Sequence, residues 1–141
     1  DPEDNMGYIL HCKSCGHRKV QKEQGYSCEV CGKKTESAGP LWIGEIYDSV
    51  FVNAMLSKLE KFVVSKSCEK TLLKCQQEIG MPATYFTLDE IARKMQAAPI
   101  SLEKSIEKLQ KAGFKAEPTS LNPSGLKTNA RIDEVLRLLQ N

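Results

Sequence analysis

The chain is poor in aromatic residues, in histidine and in long apolar runs. Aromatic residues make up 6% of its 141 residues, with a single tryptophan and two histidines. No apolar run approaches the roughly 20 residues that a membrane-spanning helix needs, which argues against a membrane protein. The glycines match neither the G-x-G-x-x-G fingerprint nor the loop that cradles phosphates. Both histidines, His11 and His17, fall near the start, so no Ser-His-Asp arrangement is available elsewhere, and we predict no catalytic residue in this chain.

Four of the six cysteines form two identical brackets with the pattern C-x2-C-G. The first contains Cys12 and Cys15, the second contains Cys28 and Cys31, and twelve residues lie between Cys15 and Cys28. Two such brackets complete a tetrahedral site of four sulfurs, which suits zinc, and the spacer between them can return as a short hairpin. Because four thiolates leave no open coordination position, the pattern predicts a structural zinc ribbon rather than a catalytic metal.

Two alternatives concern this region. The brackets could form two disulfides, although cysteines inside a C-x2-C turn rarely bridge outside redox proteins. A histidine beside the knuckle could replace a cysteine as a ligand, although such a histidine is more often a surface or supporting group. The cysteine usage is typical of a reducing compartment, so we expect the cytoplasm, or the nucleus in a eukaryote.

The rest of the chain reads as a mainly helical domain. We predict an α+β protein with a zinc ribbon over residues 1–38, a linker over 35–40 and a winged-helix-like domain over 39–141. A first helix runs from about Asp48 to Lys61, with an inward apolar stripe at residues 52, 55, 56, 59 and 63. A second runs from Ser65 to Gly80, and its stripe places Cys68 and Cys75 in the core.

A capping box at Thr87 predicts a third helix, and Ser101 caps a fourth that ends at Gly113. A strand over 114–118, a turn over 122–125 and a returning strand over 126–128 would form the wing. The last helix covers about 131–140. The fourth helix has an inward apolar stripe at residues 102, 106 and 109, and the last helix has one at residues 132, 135, 136 and 139. This order of helices and strands is typical of winged-helix domains, whose third core helix often faces nucleic acid.

A row of basic residues follows the predicted fourth helix and the wing. From Arg93 to Arg131 there are eight Lys or Arg residues against three Asp or Glu residues. Such a row can attract phosphates without reading bases, or it can be an ordinary solvated face. We predict that it binds RNA through these residues: Lys104, Lys108, Lys111, Lys115, Lys127 and Arg131.

Several segments resemble one enzyme family. Gly39-Pro-Leu-Trp-Ile-Gly44, Pro82-Ala-Thr-Tyr85, Lys111-Ala-Gly-Phe114 and the stretch from Asn122 to Ala130 are similar, in the same order, to segments of the archaeal and eukaryotic tRNA guanine-26 N2-dimethyltransferases. In that family an N-terminal domain binds S-adenosylmethionine and carries the catalytic motif, which nothing here matches. The resemblance therefore implies a C-terminal, tRNA-binding fragment that lacks activity alone and has the catalytic domain as its partner. The absence of an initiator methionine fits a fragment.

Two other functions stay open on the sequence alone. A zinc ribbon followed by a winged helix would also suit a stand-alone transcription regulator that binds nucleic acid. The chain could instead be a module that docks on the catalytic domain without touching RNA. Trp42, the only tryptophan, is either a packing anchor between the two regions or a platform on which a nucleotide stacks.

Overall fold

A computed structural model describes residues 1–140. Within them lie five α-helices and two three-stranded sheets. The first sheet contains β1 (Met6–His11), β2 (Arg18–Gln21) and β3 (Glu36–Trp42). The helices are α1 (Ser49–Ser57), α2 (Lys66–Glu78), α3 (Leu88–Met95), α4 (Leu102–Lys111) and α5 (Ile132–Leu139), and the second sheet contains β4 (Phe86–Thr87), β5 (Ala116–Thr119) and β6 (Asn122–Thr128). No helix of the described part is long and apolar enough to cross a membrane.

The first sheet has the order β2-β1-β3 and is antiparallel throughout. Its third strand replaces the predicted linker over 35–40 and crosses the predicted boundary at 38/39, since Leu10 pairs with Ser37 and Met6 pairs with Trp42. Serine, glycine and proline suggested a loop here, but the backbone of β1 supplies a pairing edge that no local pattern reveals. Gly39 is required at this position, because a Cβ there would lie 2.6 Å from the ring of Tyr8.

The helices of the second region begin at the predicted caps. Asp48 accepts a hydrogen bond from the Phe51 amide, and Ser65 and Ser101 cap α2 and α4 in the same way. Thr87 and Glu90 form the predicted capping box of α3. Helix α1 stops at Ser57, earlier than predicted, and a 3-10 turn over Leu59–Lys61 follows it.

The hydrophobic core lies between α3, α4, α5 and the second sheet, whose order is β4-β6-β5. Leu109 of α4 and Val135 of α5 are fully buried in it, which confirms the inward stripes predicted for those helices. Cys75 is also buried, but Cys68 is exposed near the start of α2. The prediction that Cys68 belongs to the core was therefore wrong, because the first turns of α2 extend beyond the elements against which it packs.

The segment predicted to form a wing is a hairpin whose turn lies at residues 120–121, so the predicted turn over 122–125 was wrong. Thr119 pairs with Asn122, and Pro118 pairs with Leu126, so residues 123–125 form an irregularity within β6. Proline and glycine are typical of turns, but they also mark such bulges. The hairpin turns two residues earlier than predicted, so Pro123 and Gly125 lie within β6.

Candidate metal centre and basic surface

The two cysteine brackets form two equivalent tight turns. The Gly16 amide donates to the Cys12 carbonyl at 2.8 Å, and the Gly32 amide donates to the Cys28 carbonyl at 2.9 Å. Gly16 and Gly32 have φ values of +85° and +73°, a region that side chains with a Cβ rarely enter. Each turn therefore presents two sulfurs on the same side of the backbone.

These turns bring all four predicted ligands together. The Sγ atoms of Cys12, Cys15, Cys28 and Cys31 lie within 4.8 Å of one another. The Cys12–Cys31 and Cys15–Cys28 pairs are 3.5 and 3.6 Å apart, too far for S–S bonds. A zinc ion with bonds of about 2.3 Å would have tetrahedral sulfur–sulfur edges of about 3.8 Å. The sulfurs therefore fit a four-coordinate zinc site.

The electrostatics of the cluster also suit a cation. Backbone N–H groups, foremost that of Cys15, lower the pKa of Cys12 to about 7. Burial raises the pKa of Cys15 to about 12, because a thiolate there loses its hydration. A divalent ion among the sulfurs would favour the charged form of both groups and offset their mutual repulsion.

His17 lies beside the sulfurs but faces a carboxylate. Its Nε2 is 2.8 Å from Oε1 of Glu29, whose other oxygen accepts a hydrogen bond from Lys19 at 2.6 Å. Neither His17 nor His11 belongs to the sulfur cluster. The cluster is therefore complete without a histidine.

The first knuckle is attached to the helical region through α3. Nη2 of Arg18 lies 2.7 Å from a carboxylate oxygen of Glu90, and its guanidinium stacks 4.9 Å from the centre of the Phe86 ring. Nζ of Lys94 donates to the Ser14 carbonyl at 2.8 Å. Cys15 also packs against the core of the helical region. The sulfur cluster thus lies at the edge of the ribbon that contacts the helices.

The basic row on α4 is present in the fold. Lys104, Lys111 and Lys115 are exposed, and Lys108 is half-buried. Lys111 pairs with Glu107 at 2.7 Å, an exposed contact that water screens. Lys104 and Lys111 lie on the side of α4 opposite Leu109, and the half-buried Lys108 lies at the edge of that side.

Lys127 does not belong to that surface. Only 2% of its side chain is exposed, and its Nζ lies 3.5 Å from the carboxylate of Glu78. Thr119 and Ser120 also donate hydrogen bonds to Glu78. Strand β6 is the central strand of its sheet, and α2 covers the face toward which Lys127 points. The prediction that Lys127 extends the exposed row is wrong, because the ammonium is the buried counter-ion of Glu78.

Arg131 lies where the hairpin meets the ribbon. Its guanidinium makes two bonds of 3.1 Å to Asp133 and stays half-exposed. The Lys115 amide donates at 2.9 Å to the side chain of Asn129, which is two residues before Arg131. The hairpin thus brings Lys115 to the segment that leads into Arg131, although 15 residues separate Lys115 and Arg131 in the chain.

A cleft of about 290 Å³ opens between the ribbon and the hairpin. Three of the residues that line it are basic and one is acidic: Arg18, Lys19, Arg131 and Glu29. Arg18 and Lys19 were not among the predicted site residues. They precede the helical region by many residues, and only the packing of the ribbon on α3 reveals that they extend the basic surface.

Comparison of the sequence with known proteins matches it to one family. The sequence profile of the N2,N2-dimethylguanosine tRNA methyltransferases matches residues 2–140. The chain belongs to this family. Two relatives are the tRNA (guanine(26)-N(2))-dimethyltransferases of Methanobrevibacter smithii and Methanothermobacter thermautotrophicus, which are 35% and 32% identical to it over 97% and 96% of the chain.

The match covers only part of those relatives. The chain spans 38% of the length of the first and 37% of the second. A solved structure of Trm1 from Pyrococcus horikoshii with S-adenosyl-L-methionine has the same fold, with a TM-score of 0.78 and 23% identity. That likeness covers 99% of this chain and 36% of the other. The family's characteristic segments thus occur here within a region about a third as long as its members.

Proposed function

We propose that this chain is the C-terminal, tRNA-binding part of an S-adenosylmethionine-dependent tRNA (guanine-26 N2)-dimethyltransferase. In this proposal it positions tRNA for methylation by an N-terminal catalytic domain that lies outside the chain. One observation carries the proposal: the family profile matches residues 2–140, whereas the chain spans only 38% of the M. smithii relative. S-adenosylmethionine would supply the methyl group, and that cofactor would bind the catalytic domain.

The zinc proposal rests on the sulfur cluster. Cys12, Cys15, Cys28 and Cys31 would hold one zinc ion, and four sulfur ligands leave no position for a reactive water. The ion would therefore stabilise the ribbon and keep Arg18 and Lys19 beside the hairpin. We further propose a cytoplasmic location, or a nuclear one in a eukaryote, where zinc thiolates persist in reducing conditions.

We also propose that the helical region is winged-helix-like. The order α2, β4, α3, α4, β5, β6, with β4 paired to β6, supports this description. In such a domain α4 takes the place of the helix that often faces nucleic acid, and it carries three lysines of the basic row.

The RNA-binding surface would then cross from α4 to the ribbon. It begins with Lys104, Lys108 and Lys111, passes Lys115 and Arg131, and reaches Arg18 and Lys19 at the cleft. Contacts of this kind attract phosphates and depend strongly on salt. Lys127 is left out of the surface because it is buried.

The test is tRNA binding by the 141-residue chain. We expect Lys104→Glu with Lys111→Glu to weaken binding about tenfold or more and to lower the log–log salt slope by about 0.7–0.9 per lost contact. The matched control is Lys66→Glu with Lys70→Glu on exposed positions of α2, which changes the net charge equally.

Two results would contradict the proposal. If both double variants bind tRNA like the parent, the basic row is only a solvated face, and the chain is a docking module. If the parent binds duplex DNA more tightly than tRNA at the same salt concentration, the transcription-regulator alternative is favoured instead.

A further inference from the structure

Helix α1 has one polar row, Ser49, Asn53 and Ser57, and is apolar around the rest of its surface. Val52 is 5% exposed and lies on the side that packs against α2. Beside it, Phe51 and Met55 are 65% and 40% exposed, and they lie one helical turn apart. A helix on a protein surface normally buries its apolar side, so these two side chains are left uncovered.

The exposed apolar side chains concentrate in one part of the chain. Nine of the twelve large hydrophobic residues that are exposed in the described part fall between Leu41 and Val64. Isolated apolar residues are normal on any surface, but such a concentration marks a surface that another body covers. We call the exposed residues of α1 and of the segment after it the α1 face: Val50, Phe51, Met55, Phe62 and Val63.

Strand β1 pairs with β3, the strand that precedes α1 in the chain. Met6 pairs with Trp42, and the Ile43 amide donates to the Asn5 carbonyl at 2.7 Å. Polypeptide that precedes Asp1 would therefore enter beside Trp42, itself 46% exposed, and a few residues ahead of α1. In the relatives, more than half of the length lies outside the matched region. A further domain of the same polypeptide could therefore cover the α1 face.

We infer that the α1 face is the docking surface for the polypeptide that precedes Asp1, the catalytic part of the same protein. The inference rests on the proposed function for the identity of that occupant. Contacts between domains of one chain typically bury about 600–1,500 Å², which a face with two phenylalanines, a methionine and two valines can supply.

The α1 face and the basic row lie on different elements. Helix α1 packs on α2, whereas α4 packs on α5 and on strands β5 and β6. Docking through α1 would therefore leave α4 and the cleft open to RNA. The arrangement fixes the RNA-binding surface relative to the catalytic part without using any residue of that surface.

The experiment compares hydrogen–deuterium exchange of α1 amides in the 141-residue chain and in the full-length polypeptide, without tRNA. We expect exchange at residues 50–57 to be at least tenfold slower in the full-length protein. Phe51→Ser with Met55→Ser should remove that protection and lower the Tm of the full-length protein, while changing the Tm of the 141-residue chain little. The control is Tyr26→Ser with Leu121→Ser, two exposed apolar positions outside the α1 face.

Equal exchange of α1 in the two polypeptides would overturn the inference. Protection that appears in the 141-residue chain only as its concentration rises, together with dimers in sedimentation, would assign the face to a second copy and would also overturn it. The exchange experiment contains no RNA, so it tests docking separately from RNA binding. If α1 is protected in the full-length protein but the chain does not bind tRNA, the proposed function is refuted and the docking inference stands.

Discussion

The buried ion pair between Lys127 and Glu78 gives the sharpest test of the fold. Both side chains are at most 2% exposed, and the pair joins β6 to α2. Burial alone would raise the pKa of Glu78, but hydrogen bonds from Thr119 and Ser120 and the charge of Lys127 outweigh it and hold that pKa below its usual value. Lys127→Met keeps most of the side-chain volume but leaves the carboxylate without its counter-ion.

We expect this change to cost about 3–5 kcal/mol, the usual penalty for breaking one partner out of a buried pair. For a chain of this size that is a drop in Tm of roughly 10–17 °C. Urea unfolding followed by circular dichroism measures it. Lys111→Met is the matched control: its pair with Glu107 is exposed, so the free energy of unfolding should hardly change.

The pair should also make the stability of the fold depend on pH. Since the pKa of Glu78 is lowered in the folded state, its contribution is present above the unfolded pKa and is lost as pH falls through the folded value. Adding Glu78→Leu to Lys127→Met should recover much of the loss, because no uncompensated charge then remains buried. If Lys127→Met unfolds like the control, or if the double variant is no better than the single one, the pair does not act as described.

The remaining predictions concern the metal and the chemistry. The purified chain should contain one equivalent of zinc by elemental analysis, and Cys28→Ser should lose the metal and unfold the ribbon while α4 and α5 stay folded. Cys68→Ala with Cys75→Ala should keep the full equivalent, and zinc loss there would show that the ligands were misassigned. The chain should transfer no methyl group from labelled S-adenosylmethionine to tRNA, and incorporation by rigorously purified protein would contradict its assignment as a non-catalytic part.

The sequence alone determined the features that depend on neighbours along the chain. The cysteine spacing, with glycines able to take positive φ, predicted a cluster of four sulfurs. Serine, threonine and aspartate caps predicted where the helices begin, and the apolar periodicity of α4 and α5 predicted their buried faces. The caps and the two cysteine turns depend on contacts within about one helical turn or one tight turn, which local residue types control.

The tertiary structure decided whatever depends on distant parts of the chain. It paired residues 36–42 with β1, buried Lys127 against Glu78, and brought Arg18 and Lys19 to Arg131. It also left Met55 and Val63 exposed, although the apolar periodicity placed both on an inward stripe. A lysine in a strand is normally assigned to the surface, because its burial is tolerable only when a carboxylate from another element meets it. Periodicity shows which apolar residues share a face of a helix. Only the packing of the other elements shows which apolar face is covered within the chain and which stays exposed for contact with another domain.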